Sequence, residues 1–329
     1  MKKLYIGLGV AVIIVAAIVG VLKSRNGGSE DNVRILKIGL NPWIGNGIYY
    51  VAQEKGFFDR EDLNVELVSY DDGAVGKQLL VNGSIDVLDL TPETAIVLAD
   101  SGADIKIIGA TDTSEGADGI IVSGEINQLS DLKGKKVAFE TGSPSHLVLS
   151  YLLDKQGLST ADLIVVNMPA PDAGAAFLSG SVDAAVTWEP WLSKAVERPG
   201  GKILATTKEA PVVPNLVMVK NTALQDKADD FKSMLRALFA AEEFIAANPE
   251  ESYSIIARNL NITAEDVVSQ TPTFRWFGYE YNQTSLTQGE SSVSNTINEA
   301  SKLWYRLGLI KTEIKAEDLI DDSLIKNLY

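Results

Sequence analysis

The 329-residue chain contains no cysteine and a single histidine, His146. Without cysteine there is no disulfide, no thiolate-held metal and no sulfur for a lipid, and the redox compartment goes unmarked. One histidine without partners at ligand spacing makes no metal motif, so neither metal nor cofactor is expected. A basic excess is missing as well. Asp and Glu number 44 against 29 Lys and Arg, a net charge of −15, which repels phosphate backbones and argues against nucleic acid as a partner. No G-x-x-x-x-G-K run is present to cradle a nucleotide, so any ATP hydrolysis belongs to a partner protein. The G-x-S-x-G elbow is absent too, and Ser143 and Ser145 beside His146 are neighbours on one helical turn, which does not make a nucleophile triad.

What is present begins with Met1-Lys2-Lys3 and then Leu4 to Leu22, nineteen residues with no charge and no proline. At about 1.5 Å per residue this run covers roughly 28 Å, close to the hydrocarbon thickness of a bilayer. It exceeds the apolar core of about 7 to 15 residues typical of a secretory signal and ends without a clear A-x-A site. Residues 1–23 are therefore read as a retained membrane anchor in preference to a cleaved signal. Lys23 and Arg25 nearly match the two lysines in front, so charge does not set the orientation. Residues 24–33, rich in Gly, Ser and Asn, form a flexible linker.

The remaining chain, roughly three hundred residues, is too long for one ordinary core and suggests two lobes. Strands are expected at Ile35 to Leu40, Val65 to Ser69, Ile85 to Leu90 and Ile105 to Ala110, with helices between them at Ile48 to Lys55, about Ala74 to Val81, and from Thr91-Pro92 onward. Asn41 to Gly47 reads as a turn, and the strand at Ile105 to Ala110 ends in the loop Thr111 to Gly116. This alternation implies an α/β protein with largely parallel sheets, whose ligands bind outside the carboxyl ends of the strands. An internal echo supports duplication: Leu79 to Leu90 reads LLVNGSIDVLDL, and ninety-eight positions on, Phe177 to Trp188 reads FLSGSVDAAVTW. Each is a helix end, a glycine stop and an apolar strand. Residues 34–117 are assigned to lobe 1, 118–212 to lobe 2, and 213–329 to the rest of lobe 1 with its C-terminal helices. Crossings near 117 to 124, where Gly119 to Ser123 reads as a crossing strand, and near 209 to 218 would form a hinge. Pro169 to Asp172 reads as a proline-bounded loop. Phe231, Leu235, Leu238 and Phe239 make a one-faced helical stripe, and Phe274 to Tyr279 an aromatic loop that borders the cleft.

The chemistry centres on Val137 to Leu153, VAFETGSPSHLVLSYLL. A buried strand breaks at Glu140-Thr141-Gly142, and Ser143-Pro144 is the signature of an N-cap with proline at the first helical position. Free amides near Ser145 and His146, with hydroxyls of Thr141, Ser143 and Ser145, would make a cradle for a small polar or anionic group. Trp43 and Asn46, Thr91 and Glu93, Asp112 to Glu115, and Trp188 and Glu189 come from the other loops expected at the cleft. Trp188 is the expected ligand-facing ring, with Trp191 packing beyond Pro190. Glu93 and Glu189 lie at or near helix starts, where a carboxylate favours the dipole. If they face the cleft instead, they favour an amine, amidine or heteroaromatic N–H. A zwitterion with its anionic end at the cradle and its amine near Glu189, helped by cation–π contact with Trp43 or Trp188, reconciles the two.

In order and spacing, NPWIGNGIYYVAQEKGFF, FETGSPSHLVLSYLLDKQGL and AAFLSGSVDAAVTWEPWLSKA resemble the solute-binding proteins of ABC importers in the sulfonate, taurine, nitrate and thiamine-pyrimidine group. The resemblance covers essentially everything after the anchor. It implies a two-lobe periplasmic-binding-protein-like type II fold, here with an N-terminal transmembrane helix, that closes on a small solute and delivers it to a permease and its ATPase. With the anchor read from Leu4 to Leu22, which departs from the freely periplasmic and lipoprotein members, the expected protein is a monomer tethered to the cell membrane with its globular part on the extracytoplasmic side. Ligand contact is expected from Trp43, Asn46, Thr91, Glu115, Thr141, Ser143, Ser145, His146, Trp188 and Glu189, without catalysis. The chain departs from lipoprotein members in having no cysteine, and from eukaryotic pyrimidine-synthesising relatives in lacking their cysteine-rich motif. An extracytoplasmic enzyme or a ligand sensor on the same fold is the alternative.

Overall fold

The computed structural model describes residues 35–329. The expected anchor and linker lie outside the described residues. Among the described residues no helix is long and apolar enough to cross a membrane.

The chain opens with β1 (Ile35–Leu40), α1 (Gly47–Glu54), β2 (Asn64–Ser69), α2 (Gly73–Asn82), β3 (Val87–Leu90), α3 (Pro92–Asp100) and β4 (Ile105–Ser114). It then enters a second sheet through β5 (Asp118–Ser123), β6 (Lys136–Phe139), α4 (Pro144–Asp154), β7 (Ile164–Asn167), α5 (Ala170–Leu178), β8 (Ala184–Trp188), α6 (Trp191–Glu197) and β9 (Gly201–Thr206). It returns with β10 (Pro214–Lys220), continues through α7 (Ala228–Ala247), α8 (Pro249–Leu260) and α9 (Ala264–Gln270), adds β11 (Phe274–Trp276), and later forms α10 (Val293–Arg306). Helix starts follow local chemistry. Proline stands in the first turn of α3, α4 and α8, where its missing N–H leaves no bond unmade. Thr263 and Asp266 close a reciprocal capping box on α9.

The sheets run β11-β4-β10-β3-β1-β2 and β7-β6-β8-β5-β9. Without β11 the first sheet, read β2-β1-β3-β10-β4, matches the second place for place: three parallel strands, then one antiparallel to both its neighbours. The sequence echo is the same element in each. Gly83 and Gly180 end α2 and α5 at φ 79° and 78°, left-handed values that glycine adopts without penalty. In the first sheet the Asp86 amide donates to Lys37 O at 2.8 Å, and its Oδ2 accepts the Lys37 amide at 3.0 Å. In the second the Asp183 amide donates to Lys136 O at 3.0 Å, and its Oδ2 accepts the Lys136 amide at 2.8 Å. Both aspartates pin the start of the neighbouring parallel strand. Every residue of β3 is buried, as are all of β8 except Trp188, which is why both read as apolar runs.

Several boundaries differ from the sequence reading. Gly119 to Ser123 is not a crossing strand: β5 lies wholly within the second sheet between β8 and β9, which supply partners for its buried backbone. The crossings are the links 115–117 and 207–213. Thr111 to Ser114 is strand rather than loop, because β10 and β11 flank the end of β4. The aromatic segment is likewise strand from Phe274 to Trp276, paired with Asp112 to Ser114. Pro169 to Asp172 is mostly helix, since Pro171 fits the first turn of α5. The edge strand β9, only half-buried, had no strong apolar pattern to announce it.

The Thr207 hydroxyl ties the two links together. It meets the Ser114 hydroxyl at 2.7 Å and accepts the Gly116 amide at 2.7 Å. Thr273 O accepts the amides of Glu115 and Ala117 on the same link. One apolar core runs from the first sheet into the second, with a smaller cluster under α5 and α6.

Asp183→Ala removes one charge-assisted bond at a half-exposed site and is expected to lower unfolding stability by about 1 kcal/mol, read from the urea midpoint. Asp183→Asn, which keeps an acceptor oxygen, should lose less.

Candidate functional site

The carboxyl ends of β1, β3 and β8 converge with both links on a narrow cavity of about 20 Å³, room for a water-sized group. Asn41 and Trp43 reach it from the β1–α1 loop, Leu90 and Thr91 from the end of β3, and Trp188 from the end of β8. Ser114 and Asp118 flank the first crossing, Val213 and Asn215 end the second, and Pro144 contributes from α4. Both sheets and both crossings therefore border one space.

Behind this wall lies a chain of buried carboxylates held by neutral donors. Asp112 accepts from Trp43 Nε1 at 2.8 Å and from Asn215 Nδ2 at 3.0 and 3.1 Å. Asp89 accepts from Tyr49 Oη at 2.6 Å and from Thr111 Oγ1 at 2.8 Å. Burial pushes the Asp89 carboxyl up to about 6 against those two bonds. It pushes Asp112 up to about 7, with the Asp89 charge adding to the rise. Gly45 makes the first of these contacts possible. A Cβ there would come within 2.5 Å of the Asp112 carboxyl and closer still to Trp43 Nε1.

Asp118 differs in facing the cavity itself. It is only 6% exposed, and burial raises its carboxyl to about 7. The Ser114 hydroxyl opposes the shift, while the charges of Glu93 and Glu189 add to it. Glu93, fully buried, is raised chiefly by burial and accepts the hydroxyls of Thr91 at 2.7 Å and Thr94 at 3.0 Å.

Of the residues expected at the site, Trp43, Thr91 and Trp188 reach the cavity. Asn46 lies behind it, its Nδ2 bonding Asn41 O at 2.9 Å and Asn41 Oδ1 at 2.8 Å, so that it orients a lining residue. Glu115 is exposed and pairs with Arg275 at 2.9 Å. Glu189 caps α6, accepting the Ser193 amide at 3.0 Å and its hydroxyl at 2.9 Å. Part of the expected cradle spends its donors internally. Ser143 Oγ accepts the His146 amide at 3.4 Å and donates to Glu140 O at 2.6 Å. Thr141 is exposed, with its amide on Asn167 Oδ1 at 2.8 Å, and Ser145 is buried, its hydroxyl without a hydrogen-bond partner among the described residues. His146 turns inward between Phe139 and Trp304, at ring distances of 5.1 and 5.4 Å. Its Nδ1 accepts the Gly142 amide at 3.1 Å, and burial drives it down to about 4. It is a neutral core imidazole. Trp191 packs against Gly174, where a Cβ would meet its ring at 2.6 Å.

Ser114, from the segment Asp112 to Glu115 expected at the cleft, also reaches the cavity, whereas Asp118, Asn41 and Asn215 were not singled out from sequence as ligand contacts. Asn41 stands in the NPWIGNG turn. An acid heading the apolar run Gly119-Ile120-Ile121-Val122 is the signal that would have found Asp118, because a charge entering a buried strand needs a reason.

Residues 43–252 match the family model described as NMT1/THI5 like, well over half of the chain. The chain belongs to this family. A Bacillus subtilis (strain 168) protein named as an aliphatic sulfonates-binding protein is 27% identical over 336 residues, covering 99% of this chain and 96% of its own. Among solved structures, the periplasmic aliphatic sulphonate binding protein SsuA from Escherichia coli is similar with a TM-score of 0.73 and 23% identity, over 87% of this chain and 92% of that one. The periplasmic nitrate-binding protein NrtA from Synechocystis PCC 6803 gives 0.74 and 16%, over 90% and 88%. These structures share the two-sheet periplasmic-binding fold.

His146 being the sole histidine, its ring-proton NMR signal reports on it alone. The expected titration midpoint is about 4, against about 6.5 for a solvated ring. Asp89 and Asp112 act oppositely on stability. Their folded carboxyls lie above the ordinary value of 3.8, so the stability they contribute is full below about 4 and is lost as pH rises through 6 to 7. The thermal midpoint should fall between pH 5 and pH 8, and fall less in Asp112→Asn.

Proposed function

We propose that this chain is the solute receptor of an ABC importer. It captures a small molecule between its two sheets and hands it to a permease energised by a separate ATPase. The observation that carries this reading is the convergence of both sheets' strand ends and both chain crossings on one cavity, with the crossings tied by Thr207 as a hinge. Ligands of open parallel sheets sit at such a place. A cavity of about 20 Å³ is far below the several hundred Å³ of a solute pocket, so loading requires the sheets to part and release requires them to part again. At the mouth, Lys77 Nζ on α2 donates to Gly142 O at 3.2 Å, a contact that opening breaks. The family and the binding-protein names of its relatives support the reading and favour binding over catalysis. The lobes correspond to the sheets with their helices, roughly 34–117 with 213–329 and 118–212. Trp43, Thr91 and Trp188, joined by Asn41 and Asp118, form the contact set, and the globular part works outside the cytoplasm beside its permease.

With no native cysteine, Val75→Cys and Thr141→Cys place two spin labels across the mouth without background. Stripped by unfolding and refolding, the doubly labelled full chain is titrated with taurine, methanesulfonate, nitrate, urea and acetamidine. A saturable shortening of the inter-label distance by one of them, with one-to-one stoichiometry and the compound recovered intact, is expected. Conversion of a bound compound would contradict the receptor reading.

A further inference from the structure

The relatives named for sulfonate and nitrate lead to the expectation of an anion in the cleft, and the lining of this cavity opposes one. None of its residues is Lys, Arg or His. Most of the neutral donors nearest it are committed: Trp43 Nε1 and Asn215 Nδ2 to Asp112, the Thr91 hydroxyl to Glu93, and the Ser114 hydroxyl is shared between Thr207 and Asp118, which leaves Asn41 Nδ2 as a side-chain donor without an acceptor among the described residues. The α4 start presents Pro144, which has no N–H, and its Ser143 cap is spent on His146 and Glu140. A sulfonate here would meet a carboxylate and find few donors to replace its water.

An acceptor is what the cavity does offer. Asp118 lines it while almost wholly buried, and among the described residues no Lys or Arg pairs with it. Its charged neighbours are Glu93 in α3 and Glu189 after β8, both of its own sign. Two indole rings border the same space, one of them half-buried Trp188. A buried carboxylate without a cation, set among aromatic faces, is the complement of a cation that carries its own donors.

We infer that the solute is a compact organic cation bearing N–H groups, of the amidinium or guanidinium type, with Asp118 as its counter-ion. This rests on the receptor reading above and names the solute class of that same site. The N–H groups matter because the Asp118 carboxylate accepts, while Trp43 and Trp188 take the planar face. Binding strengthens from pH 6 to pH 8 as Asp118 becomes charged, since burial, and after it the charges of Glu93 and Glu189, hold its ionisation back.

The test is calorimetric titration of the refolded full chain with acetamidine and methylguanidine, against acetamide, methanesulfonate and nitrate. Acetamide keeps the planar frame of acetamidinium and removes the charge, so this comparison needs no variant. One or both cations should bind one to one, with acetamide and both anions weaker by at least tenfold. Asp118→Asn should weaken the cation about 10- to 100-fold, with a thermal midpoint at pH 8 equal to or above that of the parent. Binding of methanesulfonate or nitrate with the cations inert overturns the inference and leaves the receptor reading standing. Acetamide binding as well as acetamidine, or no heat from any cation, also overturns it. Conversion of a bound cation would instead remove the receptor reading and keep Asp118 as the cation's partner.

Discussion

A buried carboxylate must be paid for by something, and here neutral donors do it where other proteins use cations. Asp112 is held by an indole N–H and an amide, Asp89 by a phenol and a hydroxyl, and Glu93 by two hydroxyls with the Lys77 charge adding to them. Satisfying a buried charge this way is costly, and the raised carboxyls of Asp89 and Asp112 express that cost. It also fixes geometry. Through Asp112 the first loop of one sheet is bound to the strand that returns from the other, and Gly45 is needed so the indole can reach. The same bonds decide what the cavity has left to offer, because each donor that turns back to a carboxylate is withdrawn from the solute.

The two sheets repeat one plan, and the repeat explains where the site lies. Each has three parallel strands followed by an antiparallel one that leads to or from the other sheet. The chain must then cross twice beside the strand ends, so both crossings border the same space. Thr207 bonds across that pair of links with one hydroxyl. Helix α10 adds a second tie: its Trp304 packs on His146 of α4, and Arg306 pairs with Asp154 at 2.8 Å. Since the pair is largely exposed, packing of Trp304 does more than the charges to hold the helices together.

Much of the fold was legible because it is written in local chemistry. The LLVNGSIDVLDL and FLSGSVDAAVTW segments carry the same glycine stop and the same pinning aspartate, and both signals survive without any knowledge of the partner strand. Proline after Thr91 and Ser143 marked helix starts for the same reason. Strand identity at 111–114 and 274–276 was not legible, since it depends on pairing between segments far apart in sequence. The site was legible in part. Trp43, Thr91 and Trp188 sit at strand ends, where topology alone places ligands. Ser143 and His146 look available in a sequence, as an N-cap hydroxyl and an imidazole, and only the fold shows that each is already bonded. Asp118 was passed over because its importance comes from what surrounds it, a cavity without a cation.

The central claim is that a receptor of this family has turned its cleft toward cations. It is tested most directly by the solute the full chain carries when purified from the cell that makes it. Native mass spectrometry gives the mass bound per chain, and acid release followed by tandem mass spectrometry gives its identity. The account predicts one small molecule per chain, cationic at neutral pH and bearing N–H groups. A sulfonate, nitrate or other anion in that place would contradict it.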